Sequence, residues 1–363
     1  GDDSRFEYVY KFVSAGIVDP ENRQSNHDLL DDGSLYVARF NSDGTGEWLL
    51  LDYGASEALQ KVMLDVYDET GSRVGETNIP LFDNQAEVLI NTRAAADILG
   101  ATPMDRPEDI AVRPGDKSVF ISFTNNVERS FEADKLMADA RAAQQGADAA
   151  NPRGRNVWGH ILQLDEEGGD PTATSFSWDV FLLCGDPKAD GGAFLTTVED
   201  LDDVPLRSNT TYFGGEKDPA LVSPIGSPDN LNFDGDDNLW IVTDGRQPLG
   251  NNDGAFVAPT EGPERGRLRQ FMSAPKGAEV CGCEFTHDYR TLFLSIQHPG
   301  WGGSIETGSS SDWPDGDGKV PRSSLIGIRT DNGKGRSYYC SESCRNPVRR
   351  EQDKSNKTPP RVI

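Results

Sequence analysis

Residues 227–245 read SPDNLNFDGDDNLWIVTDG, and the fold turns on how this stretch is parsed. Leu231 and Phe233 alternate with polar residues, the run Asp234–Asp237 supplies turn chemistry, and Leu239–Val242 returns as a continuous apolar strand. That is a β-hairpin whose turn is written in Asp and Gly. The same grammar recurs in LDDGSLYVARF (30–40), IAVRPGDKSVFISF (110–123) and EFTHDYRTLFLSIQ (284–297). Further strand pairs are expected around Tyr8–Val13 and within Val157–Val180. Repeated hairpins at irregular intervals predict an all-β chain, a β-propeller whose blades are separated by insertions. Because a propeller must close its ring, the hairpin count reads as a propeller lacking blades on its N-terminal side.

Three stretches break the alternation with helical spacing: Glu57–Val66, Gln85–Leu99 and the Ala-rich Glu132–Gln145. They are expected as helical insertions between strands, and Gly302–Gly318 as a loop. Residues 1–330 are expected to form the propeller portion, and the polar segment 331–363 a disordered tail.

The 363 residues carry 35 Lys and Arg against 60 Asp and Glu, a net charge of −25. Nucleic acid and anionic membranes are held by clustered cations, so neither is an expected partner. The longest apolar runs are far too short to span a bilayer. The chain opens on Gly1 without an initiator methionine or leader, as a processed chain or fragment would. The five cysteines form no pair of CxxC motifs, and the four histidines are scattered without HExxH, so a zinc centre is not expected. Small thiols or one local disulfide are expected instead. Metal chemistry would rest on carboxylates, which favour hard cations such as Ca²⁺.

Four constellations could carry chemistry. Near the N-terminus, Gly1-Asp2-Asp3 precedes Arg5–Phe12, in which Glu7, Val9 and Lys11 share one strand face. In Arg106-Pro107-Glu108-Asp109, Pro107 stiffens the backbone between a guanidinium suited to phosphate and a carboxylate suited to a cation. Asp229 stands at the start of its hairpin, whereas Asp234, Asp236 and Asp237 belong to the turn. Glu284 stands at the start of the hairpin that closes with Gln297-His298-Pro299-Gly300. Each of these residues also has a plain reading as a surface ion pair or turn former. In a radial repeat, however, Glu108, Asp229 and Glu284 at equivalent strand starts would gather around one axis as a cation site. No GxSxG elbow, Walker loop or dinucleotide fingerprint accompanies them.

At these residues the sequence resembles the PhoX family of alkaline phosphatases. The matching stretches are GDDSRFEYVYKFVS (1–14), SLYVARFNSDGTGEW (34–48), RPEDI (106–110), SPDNLNFDGDDNLWIVTDG (227–245), EFTHDYRTLFLSIQHPG (284–300) and WPDGDGKVPRSSLIGI (313–328). The resemblance implies a six-bladed propeller whose funnel holds Ca²⁺ and Fe³⁺, phosphomonoesters as substrates, and export to the periplasm or beyond by the twin-arginine route. It implies Glu7, Glu108, Asp229 and Glu284 as metal ligands and Arg106 as the catalytic grip on the substrate phosphate. The family's upstream NCAGG-like and WLTCEE-like motifs do not occur in this chain, so the resemblance covers a C-terminal portion and no cysteine is carried over. A monomer is expected. A gluconolactonase-like propeller with one divalent ion, or a propeller binding Ca²⁺ without catalysis, are the competing readings. Arg outnumbers Lys by 24 to 11, and this bias beside abundant surface Asp suggests a salty habitat.

Overall fold

Three of the four expected hairpins, in 110–123, 231–243 and 284–297, are present in the computed structural model. The stretch LDDGSLYVARF (30–40) is instead one strand, Gly33–Phe40, preceded by a turn and paired with strands outside that stretch. The structure describes residues 1, 3–70, 73–129, 146–188, 194–195, 212–214, 218–244, 250–303, 308–329 and 361–362. The expected helix at Glu132–Gln145 and nearly all of the tail beyond 330 lie outside the described residues. Strands dominate, with short helices between them. Two compact units emerge: residues 1–107, 128–155 and 165–178 form the first, and 108–127, 156–164 and 179–363 the second.

In the first unit, the Gly33–Phe40 strand pairs antiparallel with both Tyr10–Ser14 and Thr45–Leu50. The strand Arg5–Glu7 is held separately, with Arg5 opposite Asp105 and Glu7 opposite Met104. The segment 57–66, expected as one helix, divides. Helix Glu57–Lys61 is capped by the Ser56 hydroxyl, which accepts from the Leu59 amide at 3.3 Å. Beyond it, Met63–Tyr67 is a strand against Arg73–Pro80, as its β-branched and aromatic content favours. The segment 85–99 forms two helices, Gln85–Ile90 and Thr92–Leu99, broken at Asn91 and ended at Gly100, whose φ of 73° is the usual left-handed stop. Tyr8, Val37, Leu51, Leu59, Phe82 and Val88 build the core beneath these helices.

In the second unit, Val119–Phe123 pairs with the His160–Glu166 strand, His160 lying opposite Phe123. Next comes an up-and-down antiparallel sheet, Pro228–Phe233, Asn238–Thr243, Gly254–Pro259 and Arg269–Ser273. A second follows: Glu279–Phe285, Thr291–Gln297 and Ser324–Arg329, with Arg361–Val362 at its edge. All six residues of Asn238–Thr243 are buried, as a strand covered on both faces requires. Trp240 is the pivot between the sheets, edge-on to Phe271 and Phe285 at 5.0 and 5.3 Å. Its indole N–H donates to Asp234 Oδ2 at 3.1 Å. Asp234 also accepts from the Asp236 and Asn238 amides, so it is a turn-former, as its position in the sequence implies.

Candidate functional site

Three strands carry an acid at their first or second residue, and side chains stitch those strands side by side. Asp109 Oδ2 accepts from the Leu231 amide at 2.8 Å. Asn230 Oδ1 accepts from the Gly282 amide at 2.7 Å, and Asn232 Nδ2 donates to the Cys283 carbonyl at 2.5 Å. The Ser122 hydroxyl donates to the Asp229 carbonyl at 2.6 Å. These bonds line up the starts of Pro107–Val112, Pro228–Phe233 and Glu279–Phe285, so Glu108, Asp229 and Glu279 follow one another along a row.

Two of these starts share a backbone signature. Arg106-Pro107-Glu108-Asp109-Ile110 and Ser227-Pro228-Asp229-Asn230-Leu231 both place a left-handed residue before proline, at φ 57° for Arg106 and 53° for Ser227. An acid follows the proline, and then a residue whose side chain ties the next strand. A non-glycine residue in that region is held there only by its surroundings, at a cost of about 1–3 kcal/mol. Phe6, directly before Glu7, repeats the conformation at φ 60°.

Among the described residues, the charged groups that act most strongly on Asp229 are acids. Ligand atoms of Asp229, Glu279 and Cys281 all lie within 4.8 Å of one another. Burial first, and then the hydrogen-bonded carboxylate of Glu108 with Asp244 and Glu279 behind it, push the Asp229 carboxyl up to about 9. Burial, opposed by the Thr243 hydroxyl at 2.7 Å, leaves Asp253 at about 7, with Asp244 and Glu279 adding to the rise. Glu279 is held by three donors: Cys281 Sγ at 3.0 Å on Oε1, and Gln297 Nε2 and His298 Nε2, each at 3.1 Å, on Oε2. Burial and these carboxylates raise the Cys281 thiol well above its usual range. Among the described residues, neither Asp229 nor Asp253 is ion-paired with Lys or Arg. Carboxylates driven to hold protons in this way are the donor set a cation would neutralise, and the residues present fit one.

The first unit holds the other two predicted residues. Glu7 is buried; it accepts from the Tyr8 amide at 3.1 Å and the Tyr10 hydroxyl at 3.0 Å, and Arg93 Nη1 stands 3.2 Å away. Arg106 donates from Nε and Nη2 to the two oxygens of Asp3, both at 2.7 Å.

Residues 1–300 match the family model described as alkaline phosphatase PhoX. The chain belongs to the PhoX family. A solved structure titled Pseudomonas fluorescens PhoX in complex with vanadate, a transition state analogue, is 33% identical with a TM-score of 0.70. The alignment covers 92% of this chain and 50% of that one, so the chain spans about half the length of that PhoX structure. No curated protein sequence matches.

Within this PhoX-family chain, Glu108 and Asp229 are brought together as the strand-start reasoning anticipates. The acid that joins them on the third strand is Glu279. Glu284 is exposed at the other end of that strand, opposite Phe293, and accepts from Asn232 Nδ2 at 3.2 Å. Glu279, Asp253, Asp244 and Cys281 carried no signal as hairpin starts. For Glu279 the usable clue was Gly282: it sits at φ 55° in a bulge that carries the strand five residues further upstream than its regular alternation suggests. Cys281 and Cys283 are free thiols, while Cys340 and Cys344 lie outside the described residues.

Proposed function

We propose that this chain carries the phosphomonoesterase chemistry of the PhoX family, hydrolysing phosphate esters of small molecules with metal assistance. The observation behind this reading is the row of carboxylates at three stitched strand starts, with Asp229 forced to keep a proton until a cation replaces it. Glu108, Asp229 and Glu279 are the ligands favoured by their geometry. Glu7 and Glu284 are retained as ligands by family likeness alone. Ca²⁺ and Fe³⁺ are the cations the family implies; when bound they would supply Lewis-acid polarisation of the phosphoryl oxygens.

The chain's own residues would do the rest. Arg106 would bind the phosphoryl group through its planar fork and neutralise charge developing in the transition state. Gln297 and His298 would hold Glu279 in one orientation, the role of outer partners in metal sites. The up-and-down sheets would serve as blades of a six-bladed propeller, and an exported, monomeric enzyme acting in the periplasm or outside the cell accords with the family.

Hydrolysis of p-nitrophenyl phosphate by the whole chain, with Ca²⁺ and iron added, tests the proposal. Glu279→Gln should abolish the metal-dependent rate. Arg106→Ala should weaken kcat/KM by about 10–100-fold, the effect of losing charged hydrogen bonds worth about 1.5–3 kcal/mol. Cation-dependent stabilisation with no ester hydrolysis would replace this reading with that of a non-catalytic, cation-binding protein.

A further inference from the structure

The Gly-Asp-Asp opening of the chain has no role in the chemistry above, yet Asp3 makes a two-toothed contact with Arg106 across 103 positions of sequence. We infer that Asp3 is a positioning residue for phosphate binding: it grips one edge of the Arg106 guanidinium and fixes the plane in which the arginine meets the phosphoryl group. The inference rests on the reading of Arg106 as the phosphate-binding arginine.

Three features of the first unit support it. The register Arg5 opposite Asp105 runs the N-terminal segment antiparallel along residues 104–107, which delivers Asp3 beside Arg106 without a flexible reach. Gly1 packs so closely on Pro107 that an added Cβ would fall 2.8 Å from its carbonyl oxygen and 3.0 Å from its Cβ, so the segment is seated on the Arg106–Pro107 backbone. The contact uses Nε and Nη2 with both carboxylate oxygens, the geometry that removes the rotational freedom of a guanidinium about its last bonds. An arginine held this way meets phosphate without first losing side-chain entropy, so the benefit belongs to binding and not to the bond-breaking step.

The test compares wild type with Asp3→Ala, Asp3→Asn and Asp3→Glu in the whole chain, with Arg106→Ala as reference. Affinity for inorganic phosphate and for vanadate is measured by calorimetry, and KM and kcat for p-nitrophenyl phosphate are measured separately. Asp3→Ala and Asp3→Asn should weaken phosphate and vanadate binding and raise KM by about 5–20-fold, leaving kcat within about threefold. Asp3→Glu, which can still offer two oxygens, should recover part of the loss. Unchanged affinities in all three variants would reduce the contact to a surface ion pair. Tighter binding in Asp3→Ala would overturn the inference in the other direction, making Asp3 a competitor for the phosphate. If Arg106→Ala binds phosphate as wild type does, it is the reading of Arg106 that fails, a result separate from either. Near-wild-type melting temperatures for the Asp3 variants would exclude misfolding as the cause of a loss.

Discussion

At Asp229 the stability of the fold and the proposed cation site meet in one side chain. The residue is 6% exposed, and burial together with Glu108 pushes its folded-state pKa up to about 9, against 3.8 for an unperturbed Asp. In the metal-free protein the folded state therefore keeps a proton that the unfolded chain releases. The stability this provides is full below about pH 4 and is lost progressively as pH rises toward about 9. Asp253 adds a loss over the narrower window that ends near 7. The melting temperature in chelator should accordingly fall between about pH 5 and about pH 8, and Asp229→Asn should remove much of that slope. A divalent cation, which binds the deprotonated form, should raise the melting temperature more at the higher pH than at the lower. A pH-independent melting temperature in chelator would mean that Asp229 is solvated and already ionised.

The elements that carry these acids depend on close backbone approach, and Gly159 is where that dependence is sharpest. It lies at φ 77°, and a Cβ there would meet the Thr124 and Phe123 carbonyl oxygens at 2.3 and 2.4 Å and the Pro228 ring at 2.6 Å. The first two are backbone atoms that cannot swing aside, and the third begins the strand that presents Asp229. Gly159→Ala should cost at least about 2 kcal/mol, combining left-handed strain with overpacking. Cation affinity should fall with it, because the Asp229 strand must shift; a denaturation midpoint and affinity equal to wild type would show that the approach relaxes. The hairpins of the second unit were legible in the sequence because Asp/Gly turns and period-2 burial are local signals, as at Asp234–Asp237, whereas the Asp/Gly run before Gly33 only leads into a single strand. Glu108 and Asp229 were legible for the same reason, each following a proline at a strand start. Glu279 was not, because its strand reaches upstream through the Gly282 bulge, and a bulge resets the alternation on which sequence reading relies. The lateral bonds from Asp109 and Asn230 were equally hidden, since Asp and Asn before a strand read as turn formers. The break at Asn91 and the helix-to-strand change at Val62 depend on packing in the first unit, which overrides weak propensity.

For the whole molecule the question is what the net charge of −25 does. Salt has two opposing effects. It screens exposed pairs such as Arg39–Glu47, Arg73–Asp65 and Arg322–Asp315, which lie in high dielectric and contribute little. It also screens the mutual repulsion of the acids, which outnumber the bases by 60 to 35. With the excess this large, relief of repulsion should win. The melting temperature should rise as NaCl increases from about 0.1 M to about 1 M, where the screening length shrinks from about 10 Å to about 3 Å. Such a rise would accord with a salty habitat, whereas full stability in dilute buffer would count against it. Screening alone cannot distinguish the strand-start acids from the surface ones, but a chemical comparison can. Replacing part of the NaCl with CaCl₂ at fixed ionic strength should add a further stabilisation, saturable and dependent on Ca²⁺ concentration. Asp229→Asn should keep the response to ionic strength, which is spread over the whole surface, and lose much of the saturable Ca²⁺ response, which belongs to the strand-start carboxylates. Equal Ca²⁺ responses in wild type and variant would assign the cation effect to the surface and leave the Asp229 cluster without a binding role.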